Sequence, residues 1–317
     1  MMRNFKDFQE IIHIDWKSTK VAIFRNIHNF IYLHQINEFD FCMIDDLLGL
    51  ESQIQLLDSN TLAFLSGKKA LNALLWGARG CGKSSVVKAV LAQYLFDKTY
   101  KIPKNGNYHA KKCIESTSQD IQNISIHSNK LRVLQLDSND ISFLPLLFDS
   151  LRQIQDFYFV IFCDDIAFCN NDWGYHGLKS ILEGSFERPP NNILLYATSN
   201  LRHIISENEH NNSLHIQDSL HESMSFSDRF PLSIGFYTLG QKEYLEVLLH
   251  LIKNHLHNQS LQAHSKITLE NNNIDRESQN ILEKIKQQAI NFATKIGNRS
   301  PRSAKDFFTL YLNGTKL

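Results

Sequence analysis

The sequence predicts an α/β fold built on a parallel sheet, with a small helical domain at the C-terminal end. Short apolar runs alternate with segments of helical periodicity, a glycine-rich turn follows one run, and polar residues follow two others. Continuous apolar runs of this kind are typical of parallel strands covered on both faces. The runs are ALLW at 73–76, LRVLQL at 131–136, FYFVIFC at 157–163 and NILLYATSN at 192–200.

The pattern divides the chain into three parts. Residues 1–44 carry apolar positions at spacings of three and four, which predicts a helical N-terminal extension. Residues 45–240 form the predicted α/β domain, with a polar insertion at about 101–129 that shows no lasting period. Residues 241–317 again show helical spacing, for example at Tyr244, Leu245 and Leu248, and form the predicted C-terminal helical domain.

Bulk composition limits the class of protein. The 317 residues include 33 Lys+Arg and 33 Asp+Glu, so no global field draws the chain onto nucleic acid or an anionic membrane. The first residues lack the apolar core of a secretory signal, and no apolar run approaches the roughly 20 residues that cross a bilayer. We therefore expect a cytoplasmic protein that makes no membrane contact. The five scattered cysteines do not suggest a disulfide framework.

The glycine-rich turn is a full Walker A match. It comes directly after an apolar strand and directly before a helix-periodic segment, which is the context that this motif requires. Backbone N–H groups of such a loop wrap a phosphate at a helix N-terminus, Lys83 supplies a positive charge, and the Ser84 hydroxyl is a magnesium ligand. The predicted nucleotide-binding residues here are Gly77, Ala78, Arg79, Gly80, Cys81, Gly82, Lys83, Ser84 and Ser85.

Acidic residues follow the run at 157–163. A phosphate-binding loop needs a carboxylate at the end of a neighbouring strand to hold Mg²⁺, and Asp164 is placed for this. Asp165 then occupies the position of a catalytic base, although many ATPases with a phosphate-binding loop carry a glutamate there, which is longer by one methylene. Glu183 is a second candidate for the base, and a helix-surface carboxylate is its alternative interpretation.

Polar residues also end the run at 192–200. A central parallel strand normally turns polar where it meets the ligand crevice, and Asn200 is therefore predicted to orient water near the γ-phosphate. Arg229 and Arg302 are candidates to meet charge that develops during phosphoryl transfer. Trp173 and Tyr175 lie in a turn that either packs internally or touches a substrate.

Two zinc-like patterns do not amount to sites. Cys163 and Cys169 are six apart without a second ligand pair. The histidines at 203, 210, 215 and 221 match no ligand spacing, and a polar loop explains them better.

Together these motifs resemble AAA+ ATPases, and more specifically the uncharacterised bacterial ATP-binding proteins of the domain of unknown function 815 family. The resemblance covers about residues 45–310. It rests on DLLGLESQIQLL at 46–57, the Walker A loop, VIFCDDIAF at 160–168, LKSILEGSFERPP at 178–190, SDRF at 227–230 and RSPRSAKDF at 299–307.

The resemblance implies roles for several residues. The segment containing Leu48 and Gly49 would lie near the adenine, Asn200 would be the sensor-one residue, and Arg302 would be the sensor-two residue of a helical lid. Arg229 would be an arginine finger acting on a neighbouring subunit, with Arg202 as its rival. Pro301 departs from the family pattern, since a glycine is expected before the lid arginine.

Three functions are consistent with these residues. The leading one is an ATPase that uses ATP and Mg²⁺, assembles as a homo-oligomer and remodels or loads an unidentified protein or nucleic-acid partner. The second is a nucleotide-gated binding module that hydrolyses ATP slowly or not at all, because Asp165 replaces glutamate. The third is a small-molecule P-loop kinase. It does not explain the two arginine motifs, SDRF at 227–230 and RSPRSAKDF at 299–307.

Overall fold

The structure is a computed structural model that describes residues 14–28, 30–96, 129–166, 190–200, 230–262 and 271–315. The strands are β1 (Val21–Ile27), β2 (Phe30–Gln35), β3 (Ala73–Gly77), β4 (Leu131–Asp137), β5 (Tyr158–Asp164), β6 (Ile193–Ser199) and β7 (Leu232–Phe236). The α-helices are α1 (Glu51–Leu65), α2 (Lys83–Leu95), α3 (Leu144–Leu151), α4 (Gln241–Gln262), α5 (Asn271–Ile296) and α6 (Pro301–Leu312). Short 3-10 helices cover Ile44–Asp46 and Ser138–Phe143.

The strands form a seven-stranded sheet in the order β2-β1-β4-β5-β6-β3-β7. Strands β1, β4, β5, β6 and β3 pair in parallel along this order, and β2 pairs with β1 in the antiparallel direction. The register aligns Asp137 with Asp164 and Trp76 with Ser199, so the carboxyl ends of β3 to β6 lie at one edge of the sheet. This confirms the predicted α/β class with a mostly parallel sheet, and all four predicted strands are present.

Burial explains why these four segments become central strands. All seven residues of β6 are buried, and β5 is buried from Phe159 to Cys163. Trp16, Phe24, Leu134 and Phe159 belong to one continuous core cluster, and the Trp16 and Phe159 rings form a T-shaped pair with centroids 5.1 Å apart. The sheet therefore supplies a rigid platform for the residues that follow its strands.

The predicted helical N-terminal extension is wrong for the described residues 21–35, which form a β-hairpin. Phe24 and Leu33 face each other across the hairpin, and Val21 pairs with Val133 of β4. The turn contains His28 with a φ of 50°. The apolar spacing of three and four is produced by two strands joined by a turn, and pairing with β4 outweighs any helical preference. Residues 1–13 lie outside the described part of the chain.

The chain divides into two compact units. The first contains residues 1–44, 51–77 and 83–235, and the second contains residues 45–50, 78–82 and 236–317. These units are discontinuous in sequence, whereas the sequence pattern predicts the continuous domains 45–240 and 241–317. The predicted insertion at 101–129 lies outside the described residues, apart from Asn129.

Three helices, α4 to α6, build the core of the second unit. Tyr244, Leu248, Ile285, Ala289 and Phe307 are all nearly inaccessible within it. Helix α6 begins with a capping box in which Ser300 accepts a hydrogen bond from the Ser303 backbone N–H, and Pro301 occupies its first turn. Proline is well suited to that position because its fixed φ matches a helix and its missing N–H would have no helical partner there. The departure from the expected glycine therefore has a structural reason.

Within the described ranges, no helix combines the length and apolar character needed to span a bilayer.

Candidate functional site

The glycine-rich loop connects the end of β3 to the start of α2. Gly80 and Gly82 have φ angles of 82° and 96°, a region in which side chains are rarely tolerated. A Cβ on Gly82 would also lie 2.7 Å from the Leu50 side chain. Helix α2 starts at Lys83, so the loop runs directly into a helix N-terminus, where backbone N–H groups and the helix dipole favour a phosphate.

Lys83 is buried, with only 7% of its surface exposed. Its ammonium group donates to the Gly77 carbonyl at 2.8 Å and to Asn200 Oδ1 at 3.0 Å. The charge is thus held between the start of the loop and the end of β6. A phosphate in the loop would offer this ammonium group a charged acceptor, and charge-assisted hydrogen bonds are the stronger kind.

Ser84, Asp164 and Thr198 converge at the carboxyl ends of β5 and β6. The Ser84 hydroxyl donates to Asp164 Oδ1 at 2.6 Å, and the Thr198 hydroxyl donates to the same oxygen at 2.5 Å. Adjacent ligands of an octahedral Mg²⁺ ion are about 3 Å apart, because each metal–oxygen bond is about 2.1 Å long. The Ser84 and Asp164 oxygens, at 2.6 Å, would separate by about 0.4 Å to become adjacent ligands of a magnesium ion.

No cluster of three or more His, Cys, Asp or Glu groups with metal-binding geometry occurs in the described part of the chain. Magnesium does not require one, since it commonly keeps several waters and binds through one or two protein oxygens together with substrate phosphates. The Ser84 and Asp164 oxygens match that donor set.

Asp165 takes an unusual backbone conformation, with a φ of 55°. Asp is one of the few residues that visit this region readily. The conformation is held from both sides, because the Asp165 N–H donates to Thr198 Oγ1 at 2.8 Å and the Ile166 N–H donates to the Thr198 carbonyl at 2.8 Å. The Asn200 amide donates to Asp165 Oδ1. Asn200 therefore links the carboxylate of Asp165 to the ammonium group of Lys83.

Thr198 was not assigned a role from the sequence. Its hydroxyl donates to Asp164 and accepts from the Asp165 N–H, so one side chain fixes both acidic residues. The sequence does contain one indication of this role. Side chains alternate along an extended chain, which places Thr198 on the same side as Asn200, the residue that follows β6. Polarity at a position that is only 1% exposed also indicates a hydrogen-bonding role.

Burial makes Cys163 unreactive. The thiol is 1% exposed, and this burial, assisted by the neighbouring charge of Asp164, raises its pKa to about 12. The thiol therefore stays protonated at neutral pH and does not serve as a nucleophile. Cys81, within the glycine-rich loop, is also buried. The second cysteine of the rejected zinc pattern, Cys169, lies outside the described residues.

The loop residues 78–82 pack within the second unit. The Asn298 amide donates to the Arg79 carbonyl at 2.8 Å. A Cβ on Gly80 would lie 2.9 Å from Ser300 Oγ and 3.2 Å from the Cβ of Arg302. The structure thus places the Cβ of Arg302 beside Gly80 of the loop. Its role as the sensor-two residue stays a prediction.

The segment predicted to lie near the adenine is attached to α4. Asp46 Oδ1 lies 3.2 Å from His250 Nε2 and accepts a hydrogen bond from the Asn254 amide at 3.1 Å. Leu48 packs against the helical core of the second unit, and Gly49 has a φ of 74°. Its position relative to adenine stays a prediction.

Several predicted residues lie outside the described part of the chain. They are the arginine-finger candidates Arg229 and Arg202, the alternative base Glu183, and the turn residues Trp173 and Tyr175. Their proposed roles remain predictions. Ser85, at the third position of α2, is partly buried, and its carbonyl lies 4.0 Å from the Cys42 thiol.

Solved structures that resemble this chain share low sequence identity with it. Aeropyrum pernix Orc1, solved in complex with DNA, is 15% identical with a TM-score of 0.39, and the match covers 67% of this chain and 54% of that one. The Thermotoga maritima RuvB Holliday junction branch migration motor is 13% identical with a TM-score of 0.37, and the match covers 85% of this chain and 71% of that one. C. elegans PCH-2 is 17% identical with a TM-score of 0.45, and the match covers 86% of this chain and 65% of that one.

The chain therefore spans about half of the Orc1 chain that it matches. A comparison with curated proteins gave no match. The family model described as "Protein of unknown function (DUF815)" matches residues 17–102 and 115–315. This match includes the glycine-rich loop, Asp164 and Asp165 at the end of β5, Asn200 and Arg302. The chain belongs to the DUF815 family, and its fold is an α/β fold with a mostly parallel seven-stranded sheet.

Proposed function

We propose that this protein is a Mg²⁺-dependent ATPase that binds ATP in the loop 77–84 and hydrolyses it to ADP and phosphate. The observation that carries the proposal is the set of hydrogen bonds that joins Lys83, Asn200 and Asp165 beside the pair formed by Ser84 and Asp164. A phosphate-binding lysine, a pair of magnesium ligands and a carboxylate that can activate water are the parts that phosphoryl transfer to water needs.

Each residue has a distinct role in this proposal. The loop N–H groups and Lys83 bind and orient the β- and γ-phosphates, and Ser84 and Asp164 hold the metal. The metal, when bound, would neutralise charge on the phosphate oxygens. Asn200 orients the attacking water and the Asp165 carboxylate, which accepts the proton of that water. Glu183 remains the alternative base.

Assembly and partner are further parts of the proposal. We place Arg229 at a subunit interface as an arginine finger, with Arg202 as the alternative, so that a homo-oligomer completes each site. Lid movement would couple nucleotide state to the remodelling or loading of a protein or nucleic-acid partner. A cytoplasmic location is part of the same proposal, because the substrate is ATP.

The test compares two lysines of the same helix. Lys83→Ala removes the proposed phosphate ligand, whereas Lys88→Ala removes a lysine whose side chain pairs with Asp40 at 3.1 Å on the surface. We expect Lys83→Ala to abolish both ATP binding, measured by isothermal titration calorimetry, and phosphate release. Lys88→Ala should retain both. ATP turnover that survives Lys83→Ala would overturn the assignment of the site.

A second candidate, a nucleotide-gated binding module with slow or no hydrolysis, is favoured by one feature. Asp165 is shorter than glutamate, and its carboxylate already accepts a hydrogen bond from Asn200. Under this alternative, the protein binds ATP tightly in a Lys83-dependent manner, and phosphate release is negligible even at high protein concentration. An Asp165→Glu variant distinguishes the two, because it would create turnover in a binding module.

Subunit mixing tests the proposed interface. If Arg229 acts on a neighbouring subunit, mixing inactive Arg229→Ala and Asp164→Ala proteins should restore part of the ATPase activity. Some sites would then combine the intact Asp164 of one subunit with the intact Arg229 of its neighbour. Failure to restore activity in an assembled mixture would count against this role.

A further inference from the structure

The outer edge of the N-terminal hairpin has the properties of a strand-binding site. In the sheet order, β2 is the terminal strand, and its only pairing among the described strands is with β1. An edge strand presents a row of backbone N–H and C=O groups that another strand can pair with. Such a row therefore specifies the geometry of its partner.

The register shows which residues of β2 point outward. The Ile36 N–H donates to the Val21 carbonyl at 2.9 Å, so Val21 and Ile36 are a hydrogen-bonded pair. Such pairs alternate along an antiparallel ladder, and Tyr32 and His34 therefore also point their backbone groups toward β1. It follows that Ile31, Leu33 and Gln35 direct their N–H and C=O groups away from it, toward the open side.

This edge lacks the usual features that prevent strand addition. The sequence of β2, FIYLHQ, contains no Asp, Glu, Lys, Arg or Pro. Six consecutive residue pairs, from Ala22 with Gln35 to Ile27 with Phe30, proceed without a bulge. Natural proteins protect open edges with charges, prolines, bulges or covering segments. Strand β2 has no charged residue, no proline and no bulge.

One face of the hairpin next to this edge is apolar and exposed. Ile27 and Phe30 pair across the hairpin and are 52% and 69% exposed. The Phe30 and Tyr32 rings are neighbours on this face, with centroids 5.7 Å apart. Side chains alternate along a strand, so every second residue of an added strand would meet this face. Apolar side chains at alternate positions are therefore the matching chemistry.

The charge of Arg25 distinguishes two possible binding partners of this edge, which are a second copy of this chain and a segment of another protein. Arg25 lies on the same face, in β1 and opposite Tyr32, and is exposed. An added strand would lie two strand spacings, about 10 Å, from β1, so the long Arg25 side chain would reach it across Tyr32. Within the described ranges, Arg25 forms no ion pair. A second copy of β2 would bring no carboxylate to this face because the strand contains none. A segment of another protein that carries an acidic residue between its apolar ones would be complementary to Arg25.

We propose that β2 binds an extended segment of a partner protein as an additional strand, with apolar residues at alternate positions and an acidic residue near Arg25. The backbone groups of Ile31, Leu33 and Gln35 supply the hydrogen bonds, and the face of Phe30 and Tyr32 selects the side chains. This site is independent of ATP hydrolysis, and it would place a partner on the sheet edge opposite β7.

The experiment uses a fluorescein-labelled peptide, Val-Thr-Glu-Thr-Val-Thr-Val, blocked at both ends. Its valines and glutamate share one face of a strand. Binding to the full chain is followed by fluorescence anisotropy. Leu33→Pro removes one outward N–H without breaking a hydrogen bond to β1, and proline is tolerated at such edge positions. We expect Leu33→Pro to weaken binding at least about fivefold relative to Leu33→Ala, which keeps the N–H.

Gln35 provides a second matched pair, because its side chain is exposed and its N–H also points outward. Gln35→Pro should weaken binding relative to Gln35→Ala even if Leu33→Pro fails to fold, which circular dichroism would reveal. Arg25→Glu should reverse the preference toward a probe with lysine in place of glutamate. The ATPase activity of these variants should equal that of the wild type.

Three results would overturn the proposal. The first is that the glutamate probe does not bind to the wild-type chain. The second is binding that is equal in both members of each proline and alanine pair. The third is a wild-type dimer, detected by light scattering, that Gln35→Pro dissociates, because the occupant of the edge would then be a second copy of this chain.

Discussion

Replacing Thr198 with valine tests whether one buried hydroxyl organises Asp164 and Asp165, the two carboxylates of the proposed site. Valine has nearly the same shape as threonine, so the packing of the central strand β6 is kept. The variant loses the hydrogen bond to Asp164 Oδ1, at 2.5 Å, and leaves the Asp165 N–H without its acceptor at 2.8 Å. The change therefore acts on both acidic residues without removing either.

Two magnitudes follow. Losing the hydrogen bond of the partly buried Asp165 N–H costs about 0.5–1.5 kcal/mol, which should appear as a lower free energy of unfolding. Residues that orient metal ligands typically account for about 10–100-fold in metal affinity or activity. We therefore expect Thr198→Val to bind ATP, to need more Mg²⁺ for half-maximal activity, and to turn over about 10–100-fold more slowly.

The assay is phosphate release measured as a function of Mg²⁺ concentration at saturating ATP. Thr198→Ser is the matched control, because it keeps the hydroxyl and loses only a methyl group. It should retain most of the activity and the wild-type dependence on Mg²⁺. A Thr198→Val protein with the turnover and Mg²⁺ dependence of the wild type would refute the role assigned to this hydroxyl.

The remaining predictions concern the supporting structure. Tyr196→Phe removes a fully buried hydroxyl that bonds Thr61 Oγ1 at 2.8 Å, and chemical denaturation should show a loss of about 1 kcal/mol in the free energy of unfolding. Burial raises the pKa of Asp58, whose carboxylate accepts from the Tyr94 hydroxyl at 2.7 Å. The folded state therefore holds this proton more tightly than the unfolded state, and this residue's contribution to stability falls as pH rises from about 4 through the raised pKa. Asp58→Asn should accordingly raise the melting temperature at pH 7 but not at pH 3, and an equal gain at both would contradict this. Asn298→Ala removes the hydrogen bond to the Arg79 carbonyl and should raise the KM for ATP more than it changes kcat, whereas an unchanged KM would count against its contact with the loop.

The central sheet was predictable because its strands combine burial on both faces with polar ends. The run at 192–200 is apolar until Thr198, and the structure buries all seven residues of β6. The position of Asp164 at the end of β5, beside Ser84, was likewise predictable, because an acidic pair directly follows a continuous apolar run. Both inferences depend on local patterns with few alternatives.

The N-terminal hairpin was not predictable from spacing alone. Two short strands joined at a turn place Phe24, Ile27, Phe30 and Ile31 at intervals of three and four, which is also the pattern of a helix. Only the pairing of β1 with β4 decides between them, and that pairing joins residues more than 100 positions apart in the sequence.

The conformation of Asp165 and the contacts of Thr198 depend on the same kind of long-range information. Nothing in the sequence FCDDIA indicates a positive φ at the second aspartate. That φ is held by hydrogen bonds from residues 165 and 166 to Thr198, on the neighbouring strand. Strand register, and not local propensity, therefore determines the geometry of the two carboxylates.

The most direct test of the proposed function is Mg²⁺-dependent phosphate release by the wild-type protein and by Asp164→Asn, measured with ATP binding in the same samples. We predict that the wild type hydrolyses ATP only when Mg²⁺ is present. Asp164→Asn should still bind ATP but release almost no phosphate, because Asn holds the metal less tightly than a carboxylate does. Equal phosphate release by the two proteins, or release that is unaffected by chelation of Mg²⁺, would contradict the assignment of this site.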